Sequence, residues 1–193
     1  GQILIYDPAT QTTVSAGFMD VFHDMEEGLL ALVFDPQFST NNYVYVHYSH
    51  PTLPANRVSR FHMNGNQIDL ASETVMLEWA NDRNGYYHAA GDMDFDAQGN
   101  LYVAIGDNTN HTPYSPLNET DRNQSAERTS SNTNDLRGKI LRIKPNADGT
   151  YSIPAGNLFP NGVGGRPEIY VMGARNPYKI FVDKTNTNWL FWG

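Results

Sequence analysis

A few side chains able to move protons or hold charge stand where the surrounding residues are small. His88 follows Tyr86-Tyr87 and precedes Ala89-Ala90-Gly91. That context leaves backbone room for a flat ligand beside an imidazole whose ordinary pKa lies near neutrality, although a loop histidine resting on a backbone carbonyl would look the same. Asp107 closes the apolar run at Ile105-Gly106-Asp107-Asn108, where a turn-capping carboxylate is the commonplace explanation. Arg175 lies between Gly173 and Asn176-Pro177. Its five donors can bond loop carbonyls, which does not preclude a second task.

Other candidates fail on spacing. His23, His47, His50, His62 and His111 offer only one ligand-like pair, His47-x-x-His50, which crosses a strand end and lacks a third ligand for zinc. Asp92-Met93-Asp94-Phe95-Asp96 alternates acids as a calcium loop does, but Met93 and Phe95 read as strand positions. The glycine and terminal glutamate of an EF-hand are also missing. With no cysteine, disulfides, thiolate metal sites and cysteine nucleophiles are excluded together. Asn110-His111-Thr112, Asn118-Glu119-Thr120 and Asn123-Gln124-Ser125 fit the N-glycosylation pattern, which chance readily supplies in a chain so rich in Asn and Thr.

The elements that must position these residues are strands. A chain of 193 residues can form one domain with a substantial core. Its 13 basic and 21 acidic residues give a net charge of −8, so nucleic acid would be repelled. The acids are dispersed, as on an acidic surface rather than a binding tail. No apolar run is long enough to span a bilayer, and no basic-then-apolar signal segment opens the chain.

Short β-branched and aromatic runs separated by turn residues predict strands at 2–6, 12–16, 29–34, 43–48, 57–63, 74–79, 92–95, 101–105, 139–143, 168–172, 178–182 and 189–192. One device recurs: an apolar strand, an Asp, a turn, then an aromatic strand. It occurs at Phe34-Asp35, Phe95-Asp96 and Val182-Asp183, each encoding a hairpin through side-chain bonds to the turn backbone. Such repetition suggests blades, and the wide intervals imply inserted loops. The largest insertion, residues 108–135, is almost wholly polar, as in a disordered segment or a functional loop on one face.

The run Glu26-Glu27-Gly28-Leu29-Leu30-Ala31-Leu32-Val33-Phe34-Asp35-Pro36 resembles the first blade of the glucose/sorbosone dehydrogenase family. Further blocks follow in the family's order: Asn56-Arg57-Val58-Ser59-Arg60-Phe61, His88-Ala89-Ala90-Gly91 with Asn100 to Asn108, Asp135-Leu136-Arg137-Gly138-Lys139-Ile140, and Pro167-Glu168-Ile169-Tyr170 through Arg175-Asn176-Pro177. Gly106-Asp107-Asn108-Thr109-Asn110 and the phrase from Ser131 to Pro145 are closer still to propeller modules of large bacterial multidomain proteins.

The resemblance implies an all-β fold, a six-bladed propeller of four-stranded antiparallel sheets. About three to four blades would lie in residues 1–193, the remainder being supplied by further blades or domains of a larger polypeptide. It implies oxidation of an aldose at its anomeric carbon with hydride transfer to pyrroloquinoline quinone (PQQ), and calcium as a second cofactor. On the family pattern His88 is the base, Asp107 orients it and Arg175 meets charge on the quinone, while Glu27, Tyr87, Arg175 and Asn176 contact the cofactor. The metal ligands are not assigned, and the location implied is periplasmic or secreted. Departures from the pattern are Tyr87, where sugar-oxidising members often carry an acid, Tyr86-Tyr87 where the closest modules often pair cysteines, and Ala90 in place of a glycine. These departures motivate a different reading, a non-catalytic propeller module that binds carbohydrate or a protein partner through Tyr86, Tyr87 and Tyr114. A calcium-dependent lactonase on a similar propeller would need acids converging on the central channel, of which Glu27 is one candidate and the others are not named.

Overall fold

Runs of β-branched and aromatic residues broken by Asp- and Asn-rich turns favour antiparallel hairpins, and the computed structural model is built of them. It describes residues 1–83, 87–89, 91–109, 128–185 and 187–193. In chain order the strands are β1 (Gln2–Asp7), β2 (Thr12–Phe18), β3 (Leu29–Phe34), β4 (Tyr43–Ser49), β5 (Ala55–Asn64), β6 (Gln67–Ala80), β7 (Met93–Phe95), β8 (Leu101–Ile105), β9 (Lys139–Pro145), β10 (Tyr151–Ser152), β11 (Ile169–Met172), β12 (Ile180–Val182) and β13 (Leu190–Trp192). One helical turn, α1 (Phe38–Asn41), ends at Asn42 in the left-handed conformation. No helix among the described residues is long and apolar enough to cross a membrane.

These strands form four sheets. One is the meander β3-β4-β5-β6; the next runs β7-β8-β9, with the outer edge of β9 shared by β10 and β11; a two-stranded hairpin stands on either side, β1-β2 and β12-β13. The sheets are blades of a β-propeller, two of them complete in width and two present as hairpins. The expected three to four blades are thus four sheets. The sequence reading missed α1 and β10, and it recognised only the apolar end of β6.

Alternation along each strand sets how the blades stack, because successive side chains point to opposite faces. Tyr45 of β4, Val58 of β5 and Leu77 and Trp79 of β6 meet Phe95, Leu101, Val103, Ile105, Leu141 and Ile143 of the second blade in one buried cluster. The intervening Val44, Val46 and Tyr48 face the other way and pack on Ile3 and Ile5 of the β1-β2 hairpin. Tyr102, Ala104 and Ile140 cover Ile180 and Val182 of the β12-β13 hairpin. The outer faces of both hairpins remain open, with Leu4, Tyr6, Phe181 and Phe191 each more than half exposed.

The repeated Asp acts as expected. Asp96 Oδ1 accepts from the backbone N–H groups of Gln98 (2.9 Å) and Asn100 (2.8 Å), and Oδ2 accepts from Asn100 Nδ2 (2.6 Å) and the Tyr102 hydroxyl (3.5 Å). Asp35 takes Gln37 N and Asn41 Nδ2 at 2.8 and 2.9 Å and the Tyr45 hydroxyl at 3.2 Å. Asp183 accepts from Thr185 and Thr187, and these bonds hold its carboxyl well below the usual range.

Removing the buried Asp96 side chain leaves two turn N–H groups and a tyrosine hydroxyl without their acceptor. Asp96→Ala is therefore expected to destabilise the fold by about 3 kcal/mol in urea unfolding, with Asp35→Ala costing less because Asp35 is only half-buried.

Candidate active site

Three chain segments converge at the end of the second blade where β8 stops. Beyond Ile105, Gly106 and Asp107 continue beneath the segment carrying His88. A Cβ at Gly106 would stand 1.9 Å from the His88 carbonyl oxygen and 2.7 Å from Asn176 Oδ1, so only glycine permits the approach. Asn108 N then donates to the His88 carbonyl at 3.3 Å, and Tyr87 N donates to the Thr109 carbonyl at 3.1 Å. His88 itself has φ of 61°, a left-handed backbone that a non-glycine residue keeps only when its surroundings enforce it.

The central contact is between His88 Nδ1 and Asp107 Oδ1, 2.7 Å apart, with side chains 6% and 0% exposed. A carboxylate only accepts, so Nδ1 carries the hydrogen and Nε2 carries the lone pair of the neutral ring. Nε2 makes no hydrogen bond to a described residue. Asp107 Oδ1 also accepts from Thr109 N at 3.1 Å and Thr109 Oγ1 at 2.8 Å. Its Oδ2 is buried and has no partner among the described residues. The arrangement can accept a proton at Nε2 while a fixed negative charge stabilises the resulting imidazolium.

The backbone of the site is tied down from several sides. Asp107 N donates to the Arg175 carbonyl at 2.8 Å, and Gly138 N donates to the Gly106 carbonyl at 2.9 Å. Thr129 Oγ1 donates to the Asp107 carbonyl at 2.7 Å, and Lys139 Nζ donates to the carbonyls of Thr129 at 2.6 Å and Arg137 at 2.8 Å. Lys139 is fully buried, and that burial pushes its ammonium down to about 8. Arg137, paired with Asp135 at 2.6 Å, reaches Asn108 Oδ1 at 3.2 Å.

Of the residues singled out in the sequence, His88 and Asp107 meet directly. Arg175 joins them through its backbone, while its side chain is exposed and forms no hydrogen bond or ion pair to a described residue. Asn176 is half-buried, its Oδ1 unpartnered beside Gly106. Glu27 is not turned to His88 but accepts from Arg83 Nε at 3.2 Å, and Arg83 also lies over the Phe22 ring at 3.8 Å. Its neighbour Glu26 accepts from His88 N at 2.7 Å. Glu26, Thr109, Thr129 and Lys139 were missed by the sequence reading. Tyr87 is half-buried. Tyr86, Tyr114, Ala90, His111, the three glycosylation-pattern asparagines and most of the 108–135 insertion lie outside the described residues. Of the rejected zinc pair, His47 is fully buried and His50 Nδ1 accepts from Thr52 N and Leu53 N.

The Arg175 guanidinium, which bonds to no described residue, suits an anionic planar group, while the unpartnered Asn176 Oδ1 on the same segment can only accept from a donor on the ligand. The site does not suit calcium, since no three His, Asp or Glu side chains converge among the described residues.

A β-propeller with a buried carboxylate–imidazole pair at its blade ends defines the class of this protein. Its sequence matches the family model described as glucose/sorbosone dehydrogenase over residues 1–191, and the chain belongs to that family. It is 35% identical over 167 residues to an uncharacterised protein of Synechocystis, covering 86% of this chain and 37% of that protein. A putative oxidoreductase (glucose dehydrogenase) from Thermus thermophilus superposes with a TM-score of 0.78 at 26% identity, covering 100% of this chain and 50% of that one. The PQQ-bound aldose sugar dehydrogenase of Streptomyces coelicolor superposes with a TM-score of 0.71 at 22% identity, with 99% and 49% coverage. The chain thus spans half or less of the length of these proteins.

The Lys139 ammonium gives a pH signature. Its pKa is lower in the folded chain than the ordinary 10.5, so between about pH 8 and 10.5 the unfolded chain binds more protons and stability from this group rises with pH. Comparing Lys139→Met with the parent cancels tyrosine titration. The parent's stability relative to the variant should climb across pH 8 to 10 in urea unfolding, and a flat difference would refute the assignment.

Proposed function

We propose that the chain supplies one side of the active site of a quinoprotein that oxidises an aldose at its anomeric carbon. The observation that carries this reading is the 2.7 Å contact of His88 Nδ1 with a buried carboxylate, which leaves Nε2 as the base. His88 Nε2 takes the proton of the anomeric hydroxyl as the anomeric hydrogen leaves with its electron pair, giving a lactone. Asp107 keeps the ring in the reactive tautomer and stabilises the imidazolium. PQQ, when bound, supplies the hydride acceptor. Arg175 would offset negative charge on its oxygens, and Asn176, Tyr87 and Glu27 would border it, with Glu26 holding the His88 backbone. Calcium and the remaining cofactor contacts would come from further blades of a larger polypeptide. The open outer faces of β1-β2 and β12-β13 and the half-length coverage of solved relatives support such blades. A periplasmic or secreted location rests on the family resemblance alone, and fractionation of the producing cells tests it.

With the complete polypeptide reconstituted with PQQ and calcium, dye reduction driven by a panel of aldoses should fall at least about a hundred-fold in His88→Ala, since a positioned base contributes on the order of 10²–10⁴. Parental rates in the variant would remove His88 from the reaction.

The insertion leaves the second blade at Asn108 and Thr109, both buried beside His88, and returns at Arg128, whose Nη2 donates to the Asn108 carbonyl at 2.9 Å. We propose that it forms one wall of the cleft and sets substrate size. Replacing residues 112–127 with a short Gly-Ser linker should preserve folding and shift the ranking among mono- and disaccharides; an unchanged ranking would sink the idea.

A further inference from the structure

Directly under the His88 segment lies a group of polar side chains that the reaction does not use. His47 of β4, Asn56 of β5 and Trp79 of β6 are 0%, 0% and 6% exposed. Asn56 stands opposite both Ser49 and Trp79 in the strand register, and His47 precedes Ser49 by two positions, so all three side chains point to the face that meets the second blade. His47 and Trp79 are in edge contact, with ring centroids 5.1 Å apart. The group is sealed above by Gly91, where a Cβ would lie 1.9 Å from His47 Cε1 and 2.1 Å from Nδ1.

None of the polar atoms of these side chains has a partner among the described residues. His47 Nδ1 and Nε2, Asn56 Nδ2 and Oδ1, and Trp79 Nε1 are all buried without a hydrogen bond. Each such atom forfeits its hydration when left unsatisfied, and a cluster of them beside a close-packed interface is not sustained dry. The chemistry of the group selects what can satisfy it. Burial holds the His47 imidazole far below its usual pKa, at about 3, so it is neutral and offers one donor and one acceptor. Asn56 offers two donors and an acceptor, and Trp79 one donor. With donors in the majority and no carboxylate, a cation is not accommodated, and with no charged donor an anion is not either. A small neutral molecule that both donates and accepts fits.

We propose that His47, Asn56 and Trp79 form a closed polar chamber beneath the His88 segment that binds water as a structural ligand, with one or more molecules bridging the three side chains. This does not rest on the catalytic reading of His88. Water held there would join the first blade to the Gly91 segment of the second, in the manner of buried waters that satisfy otherwise orphaned groups.

Crystals of the complete polypeptide, at a resolution that shows ordered water, decide the matter. Density within hydrogen-bond distance of at least two of the three side chains is the expected result; an empty chamber, or direct His47–Asn56 pairing, overturns the proposal. His47→Phe and Asn56→Leu supply a second reading by urea unfolding. If water bridges the groups, each variant strips a partner from it, the unfolding constant rises roughly ten-fold, and the double variant loses less than the sum of the two. If the chamber is dry, each variant removes an uncompensated polar group and the unfolding constant falls, which also overturns the proposal. Should a variant fail to fold, the crystallographic result still stands alone.

Discussion

The His88–Asp107 contact exists because position 106 has no side chain. β8 must carry Asp107 under the His88 segment closely enough for a 2.7 Å contact, and the approach brings Gly106 within van der Waals range of the His88 carbonyl. Much else in the site follows from that closeness. His88 is held at positive φ, its N–H turns to Glu26 on the first blade, and its carbonyl receives Asn108 N. A strained backbone persists only when neighbouring bonds over-determine it, and here they come from the β3 approach, the β8 end, the insertion's return and the Arg175 segment. The imidazole is thus positioned by four stretches of chain that are distant in sequence, with Lys139 anchoring the return at Thr129.

Between the blades a second arrangement repeats. Tyr45 pairs in register with Arg60, and Tyr102 with Arg142, so each complete blade carries an Asp-capped hairpin, a tyrosine reaching that Asp and an arginine across from it. The arginines act as struts. Arg60 lies over the Tyr43 ring at 4.2 Å and donates to the carbonyls of Asn146 and Ala147, binding the first blade to the β9-β10 turn of the second. Arg142 lies 4.2 Å from the Tyr170 ring and donates to Ala155 O and Asn157 Oδ1. A guanidinium satisfies several carbonyls at once while its flat face covers an aromatic, which suits a crevice between twisted sheets. The His88 end is therefore held by hydrogen-bonded backbone and the opposite end by these struts, with the apolar cluster between.

How much of this was legible depended on where each signal lies along the chain. The hairpins were readable because Asp, turn and aromatic strand are contiguous. The first half of β6, Gln67 to Glu73, reads as polar because most of it flanks solvent, and β10 is short and defined by pairing with β9. His88, Asp107 and Arg175 could be named from ordered blocks, but their contacts could not. Glu26 was passed over for Glu27 because the bond that matters is to the His88 N–H, which leaves no trace in residue type. Thr109 and Lys139 were invisible for the same reason, as both act on oxygens supplied by folding. His47 looked like half of a weak metal pair, and only the pairing of β4 with β5 and the stacking of blades reveal it as a buried neutral ring.

A site can be so far advanced on two complete blades and two hairpins because of how a propeller distributes labour. Each blade buries its own strands and meets its neighbours through two faces, so local geometry at one blade end is fixed by that blade and the next. Here the imidazole, its carboxylate and the donors around them draw on the first and second blades and on the segment leading to β12, all of which are present. Some polar groups at the site nevertheless find no partner among the described residues. The exposed guanidinium of Arg175 bonds to no described residue, and neither do the buried Asn176 Oδ1 and Asp107 Oδ2. The orphaned atoms around His47 lie elsewhere, between the first blade and the Gly91 segment of the second.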